Sequence, residues 1–270
     1  MCIRDSYKGL LFATFRDDTP PLPDYLGAEM RPWIDRIFHK SIVYLGCTRQ
    51  YSKSNWKLYF ENVKDPYHAS LLHLFHTTFN IFRVGMKARS IPDATHGLHS
   101  IITVTKPEDN ADTAAAYSAQ NIRSMDDGFA LEDPELLGQI QEYEEMTTNQ
   151  IQPIFPQLVV QQIHNTLVAR QLLPKGPSNF ELVFHFFGYE DDTPELRELR
   201  LLQANLVGPA GYISMEDTEA TELVQRGTAR DGDKHSYIAM ARSAPQQTDT
   251  VITENLIRRF WVGYQKLMGY

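Results

Sequence analysis

The sequence predicts an α+β fold, and three observations carry that reading. Several segments alternate apolar and polar residues like antiparallel strands, helical patterns lie between them, and the chain closes on a long amphipathic helix. The closing stripe is Ile252, Leu256, Phe260, Tyr264 and Leu267, spaced for one helix face. With 270 residues at 42% hydrophobic content, the chain can bury a large single core, and it falls outside the disordered, collagen-like and disulfide-stapled classes.

In chain order, Tyr7–Phe15 reads as one strand that begins almost without a lead-in. Pro20, Pro21, Pro23 and Gly27 then break helix and sheet alike, so Asp17–Gly27 is expected to be an extended linker and a domain boundary. From Ser54, taken as the cap, to Phe79 the pattern is helical, with Trp56, Tyr59, Phe60 and Val63 recurring at three- and four-residue spacings. Pro66 must kink or restart this helix, with Asp65 as cap and Pro66 in the first position. Arg83–Thr105, Leu158–Leu173 and Asn179–Tyr189 alternate as strands, the second read as one continuous strand. Ala111–Ser124, polar and alanine-rich, is expected to be a surface excursion. Pro134–Met146, Pro194–Asn205 and Met215–Arg226 read as helices, the last stopped by Gly227.

Charge and cysteine usage narrow the partners. Lys plus Arg number 26 against 34 Asp plus Glu, a net −8, which leaves no electrostatic footprint for nucleic acid or an anionic membrane. Cys2 and Cys47 alone can build neither a disulfide framework nor a four-thiolate metal site. No apolar run approaches the roughly 20 residues of a membrane span, and no export signal is evident. The expectation is a cytoplasmic protein.

The chemistry concentrates in Asn55–His76, where Asp65, His68, His73 and His76 fall within twelve positions. Two neutral imidazoles and one carboxylate hold Fe(II) while leaving positions open for dioxygen and substrate. Asp65 and His68 share a helix face, so the carboxylate can accept a hydrogen bond from the ring. His68 and His73 are five apart, about 140° around an ideal helix, and converge on one ion only where the helix is distorted; Pro66 offers a local cause. By spacing alone His73 and His76 are an equally acceptable pair, and any one of these histidines could be a buried structural residue.

Asn55-Trp56-Lys57, Glu61-Asn62 and Asp65-x2-His68-x4-His73 together resemble the iron-site signature of the catalytic α-subunits of Rieske-type aromatic-ring-hydroxylating oxygenases. The resemblance runs over nearly the whole chain from Tyr7. It implies a helix-grip fold of the START/Bet v 1 type, an antiparallel sheet wrapped on the long C-terminal helix. It also implies a third ligand after a Gly-Pro-Ala-Gly turn, which puts Asp217 in that role, ahead of Glu216 and Glu219. The competing reading of Ser214-x-x-Asp217 is a capping box at a helix start.

Further implications of the resemblance concern electrons, partners and substrate. Asp65 matches the aspartate that links an iron-ligand histidine to the cluster of a neighbouring subunit, and Asn62 matches an outer polar group close to the iron. Neither the Cys-x-His nor the Cys-x2-His pair of a [2Fe–2S] Rieske domain occurs here. The expected division is therefore a non-native leader over 1–6, the end of the Rieske domain and its linker over 7–27, and the iron-containing catalytic domain over 28–270. A ferredoxin or reductase, a β-subunit and an α3 or α3β3 assembly are the implied partners. The details of the motifs look closest to members acting on aromatic acids. An anionic substrate needs a buried cation. Arg170 is the candidate, placed on one side of its strand with Val160, Gln162, His164, Thr166 and Val168, and Arg83 and Lys87 compete with it. Val63, Ala69, Leu72 and His164 complete the expected substrate surface. Two other classes remain: a metal-free helix-grip ligand-binding domain, and an inactive fragment.

Overall fold

The structure is a computed structural model and describes residues 3–79, 81–82, 86–105, 118–119, 130–145, 147–235, 237–240 and 247–270. The expected excursion at Ala111–Ser124 lies outside the described residues apart from two positions, and Arg83 lies outside them as well.

Its centre is a seven-stranded antiparallel sheet in the order β3-β9-β8-β7-β6-β5-β4. The strands are β3 (Ile42–Ser52), β4 (Lys87–Pro92), β5 (Ser100–Thr105), β6 (Thr147–Ile154), β7 (Leu158–Ile163), β8 (Thr166–Pro174) and β9 (Phe180–Tyr189). Alternation sends successive side chains to opposite faces, and both faces are covered. On one, Val160, Leu167, Phe187 and Tyr189 pack against α1 (Leu22–Leu26) and α2 (Arg31–Ile37) through Leu22, Leu26, Ile34 and Ile37. On the other, Val159, Ile163, Val168 and Phe184 pack against Phe60 of α3 (Trp56–Asn62) and Phe260 of the C-terminal helix α8 (Asn255–Met268). The rings of Phe60 and Phe260 stand 5.2 Å apart. The α+β, helix-grip expectation holds: the sheet closes on the last helix.

Several expectations change. Tyr7–Phe15 is not one strand but part of a hairpin, β1 (Ile3–Tyr7) against β2 (Leu10–Thr14), turning at Lys8 and Gly9 with φ of 51° and 86°. Residues 3–6, set aside as leader, thus pair with β2. The 17–27 linker contains α1, because Leu22 and Leu26 find an apolar surface to bury against. Leu158–Leu173 is two strands joined at His164–Asn165, where His164 takes a φ of 50°. Pro134–Met146 shrinks to one 3-10 turn, Pro134–Leu137, started by the Asp133 side chain and stopped at Gly138. The helix cap before Trp56 is Asn55, which accepts from the Lys57 amide, while the Ser54 hydroxyl bonds Ser52 and Thr221. Ile252 precedes α8 and is exposed, as is Leu267, so the buried stripe is Leu256, Ile257, Phe260 and Gly263.

One buried charge carries a prediction. Lys64 is fully buried just after α3; its Nζ donates to the Leu98 carbonyl at 2.9 Å and the Ser100 hydroxyl at 3.1 Å. Burial pushes its ammonium down to about 7, against the opposing pull of Asp93. Above that value, and up to the ordinary lysine range near about pH 10, the unfolded chain holds a proton that the folded chain does not. Stability contributed by this group therefore rises with pH across that window. In chemical denaturation between about pH 7 and about pH 10, the Lys64→Met variant should gain less stability than the unsubstituted chain; equal gains would contradict the assignment.

Candidate metal centre

Three short helical pieces replace the helix expected to kink or restart at Pro66, and their breaks place the histidines. α3 ends at Val63, and the chain restarts through Asp65, whose Oδ1 accepts the backbone N–H of Tyr67 at 2.9 Å and of His68 at 3.4 Å. His68 then caps α4 (Ala69–Leu72), and His73 leaves helical geometry at φ −87°, ψ 84° before α5 (Leu74–Thr78). The distortion that lets His68 and His73 converge thus lies at His73 itself; Pro66 only sets the earlier restart. With the helix interrupted, the angle expected for residues five apart no longer applies.

The third group comes from a distant part of the sequence, on a helix that packs against α3. After α6 (Pro194–Val207), the Gly208–Gly211 turn leads into α7 (Tyr212–Thr228), which begins at a Gly211 cap and runs through Gly227. A Cβ on Gly211 would stand 1.9 Å from the Leu206 carbonyl oxygen, so only glycine permits this turn. Asp217 sits inside the helix, not at its start, and the Ser214 hydroxyl donates to Gln50. The capping-box reading is therefore overturned.

Asp217, 4% exposed, points its Oδ1 at both imidazoles, 3.4 Å from His68 Nε2 and 3.1 Å from His73 Nε2. One ligand atom from each of His68, His73 and Asp217 fits within a sphere of mutual distances of 4.8 Å. Asn62 donates from Nδ2 to the same Oδ1 at 2.9 Å. His73 Nδ1 lies 2.7 Å from Glu216 Oε2. A ring that donates to a carboxylate through Nδ1 keeps its Nε2 lone pair for a metal, and the partner fixes its orientation. Glu216 is thus a partner of a ligand and not the rival ligand expected from sequence, and its position next to Asp217 on α7 is the signal that places it here. Glu219 is exposed.

Electrostatics fit a cation here. Burial pushes the Asp217 carboxyl up, but hydrogen bonds from His68 and His73 outweigh it and hold the group well below the usual carboxylate range. Burial pushes the His68 imidazole down, and Asp217 more than reverses this. Asp65 is pushed up by burial; its Oδ2 lies 3.7 Å from His68 Nδ1, an ion-pair distance and not the hydrogen bond expected. His76 is buried with neither ring nitrogen hydrogen-bonded, and its ring centroid lies 4.8 Å from that of His73. It stands outside the ligand cluster. Two imidazole nitrogens and one ionised carboxylate around a common point form a donor set suited to a divalent transition metal.

The three groups line a cavity together with Asn62, Val63 and Ala69, facing Ile102, Ile151, Ile163 and Arg170 from the sheet. Arg170, 3% exposed, donates from Nη1 to the Tyr59 hydroxyl. Burial raises that phenol above its ordinary value, so it is a neutral partner. The Arg170 Nε has no hydrogen-bond partner, and no carboxylate pairs with this guanidinium among the described residues. Its neighbours are not those of a continuous strand. In the β7–β8 hairpin Arg170 pairs with Val159, and Val168 with Gln161, so Arg170 shares its face with Val159 and Gln161 while Val160 and Gln162 point to the other side. His164 lies in the hairpin turn and lines a separate recess with Glu142 and Gln162. Leu72 does not line the cavity, and Lys87 is exposed.

Comparison with known proteins bears on the family and the fold. The family described as ring hydroxylating alpha subunit (catalytic domain) matches residues 40–269. The chain is 80% identical over 266 residues to an anthranilate 1,2-dioxygenase large subunit from Burkholderia cepacia, covering 98% of this chain and 62% of that protein. It is 44% identical to a terephthalate 1,2-dioxygenase terminal oxygenase α-subunit from Comamonas sp., covering 97% and 63%. The chain thus spans about three fifths of the length of these relatives. A naphthalene 1,2-dioxygenase structure from Rhodococcus sp., bound to indole, superposes with a TM-score of 0.78 at 19% identity, covering 99% of this chain and 66% of that one. At that identity the likeness speaks for the fold. No helix among the described residues is long and apolar enough to cross a membrane.

Proposed function

The chain belongs to the catalytic-domain family of ring-hydroxylating α-subunits, and from that premise we propose that it is the iron-containing catalytic domain of an oxygenase acting on an aromatic carboxylic acid. The observation that carries this reading is a cavity wall that holds both the His68–His73–Asp217 cluster and a buried arginine without an anionic partner. A buried guanidinium left unpaired is costly, and an entering carboxylate would relieve that cost. The relatives' names point the same way: anthranilate and terephthalate are both aromatic carboxylates.

Fe(II) bound by His68, His73 and Asp217 would supply the centre at which dioxygen is reduced and its oxygen transferred to the ring. The protein's own residues do the rest. Glu216 orients His73, and Asn62 holds the Asp217 carboxylate through its amide N–H. Arg170 anchors the substrate carboxylate, and Val63, Ala69, Ile102 and Ile163 keep water from the ring. Residues 28–270 form the catalytic domain in this reading, and 7–27 are the end of a preceding Rieske domain. A [2Fe–2S] cluster, a ferredoxin or reductase, a β-subunit and a trimeric arrangement belong to the full-length protein, with the cytoplasm as its compartment. The test is product formation from a panel of aromatic acids once a Rieske domain and electron donors are joined to this chain; no product from any acid, with iron loaded, would overturn the reading.

Asp65 is proposed as the link from His68 to a neighbouring cluster. Its Oδ1 caps the Tyr67 turn while its Oδ2 faces the His68 ring, so one side chain serves both purposes. Asp65→Asn keeps the capping oxygen. In a full-length α-subunit with both metal centres loaded, it is expected to leave folding and iron content intact and to lower reductase-driven turnover about 100-fold, the upper end for loss of an outer ligand partner. Near-normal coupled turnover would leave Asp65 as a cap only.

A further inference from the structure

The sheet wall of the cavity carries a row of polar groups. Asn149 on β6 pairs with Ile163, Ile151 pairs with Gln161, and Val159 pairs with Arg170. Asn149, Gln161 and Arg170 are therefore successive diagonal neighbours on one face across three adjacent strands. Diagonal positions stand about 7–8 Å apart, within reach of one another's side chains. All three line the cavity and are at most 4% exposed. Asn149 Oδ1, Gln161 Oε1 and Arg170 Nε are buried with no hydrogen-bond partner, although they lie among Ile102, Val104, Ile151 and Ile163. Buried polar atoms are almost always paired, so unpaired ones on residues that line a cavity mark where a ligand's polar groups belong.

From this we propose that Gln161, assisted by Asn149, is a specificity-determining residue that accepts a hydrogen bond from an amino group next to the substrate's carboxylate. The inference rests on the aromatic-acid reading above and deepens it. Arg170 offers a cation with a free N–H, which suits the carboxylate. The next position along the diagonal offers carbonyl oxygens, which suit a donor. An aromatic amine beside a carboxylate keeps one N–H for that carboxylate and has a second to give away. A hydroxyl in the same place spends its only O–H on the internal bond. The row therefore selects an amine over a hydroxyl and over any group with no donor to spare.

The test is equilibrium binding of substituted benzoates to this chain loaded with Fe(II) under nitrogen. The unsubstituted chain should bind 2-aminobenzoate about tenfold more tightly than 2-methylbenzoate and more tightly than 2-hydroxybenzoate, the scale of one satisfied buried hydrogen bond. Gln161→Met, close in shape but without an acceptor, should bring the amino-to-methyl ratio near one while 2-methylbenzoate affinity stays within about twofold, which also reports an intact fold. Asn149→Leu should lower the ratio less. Equal affinity of the unsubstituted chain for the amino and methyl acids, or an unchanged ratio in Gln161→Met, would overturn the assignment while leaving the aromatic-acid reading standing. Failure of the unsubstituted chain to bind any benzoate would overturn both.

Discussion

Alanine in place of His68, His73 or Asp217 is expected to abolish stoichiometric Fe(II) binding by the purified chain, whereas His76→Ala is expected to retain it. The three ligand atoms lie within 4.8 Å of one another, and His76 lies outside that cluster. Removal of a group that merely orients a ligand costs about 10–100-fold in metal affinity, so loss of a ligand itself should exceed about 100-fold. Glu216→Ala, which frees the His73 ring without removing a donor, should fall in the lower range. Iron content after anaerobic loading and gel filtration reads all five variants. Full iron in His73→Ala with loss in His76→Ala would show that the other histidine pair holds the metal.

The second large effect is expected at Arg170. Arg170→Met should weaken binding of benzoates by about 100-fold or more and leave a neutral aromatic amide nearly unaffected. A carboxylate meeting a buried guanidinium forms a desolvated, charge-assisted pair, and truncating one partner of such a pair costs about 2–5 kcal/mol. Among the described residues the guanidinium donates to the neutral Tyr59 hydroxyl and pairs with no carboxylate, so none of them competes with the ligand. Equal benzoate affinity in the variant would place the anion elsewhere in the cavity.

What the sequence made legible was whatever periodicity or punctuation records. Phe180–Tyr189 alternates on a strand buried on both sides, and the strand falls within one residue of its expected start. Pro66 announced the restart before His68, and the Asp65 side chain caps the turn there as expected, but the helix itself begins at Ala69 and not at Pro66. β3 was not visible because an edge strand with Ile42, Tyr44 and Tyr51 exposed has no buried face to impose a pattern. The β7–β8 turn was missed because His164–Asn165 lacks glycine, yet His164 adopts a positive φ. That single error assigned Arg170 the wrong neighbours while leaving it in the cavity. Asp217 illustrates the opposite case: its local context, Ser214-x-x-Asp217, pointed to a cap, and only the distant histidine motif argued for a ligand. Asn149 and Gln161 left a faint signal, polar residues on apolar strands, which acquires meaning only from the register that aligns them with Arg170.

The most direct single measurement is electron paramagnetic resonance of the Fe(II)-loaded chain with nitric oxide, recorded with and without a saturating benzoate. One metal held by His68, His73 and Asp217 with open positions, and an aromatic acid held by Arg170 in the same cavity, should give one Fe(II)–nitrosyl signal per chain and a change in its line shape when the acid binds, with Arg170→Met blunting that change. Absence of a nitrosyl signal in the iron-loaded chain, or a signal indifferent to the bound acid, would contradict this arrangement.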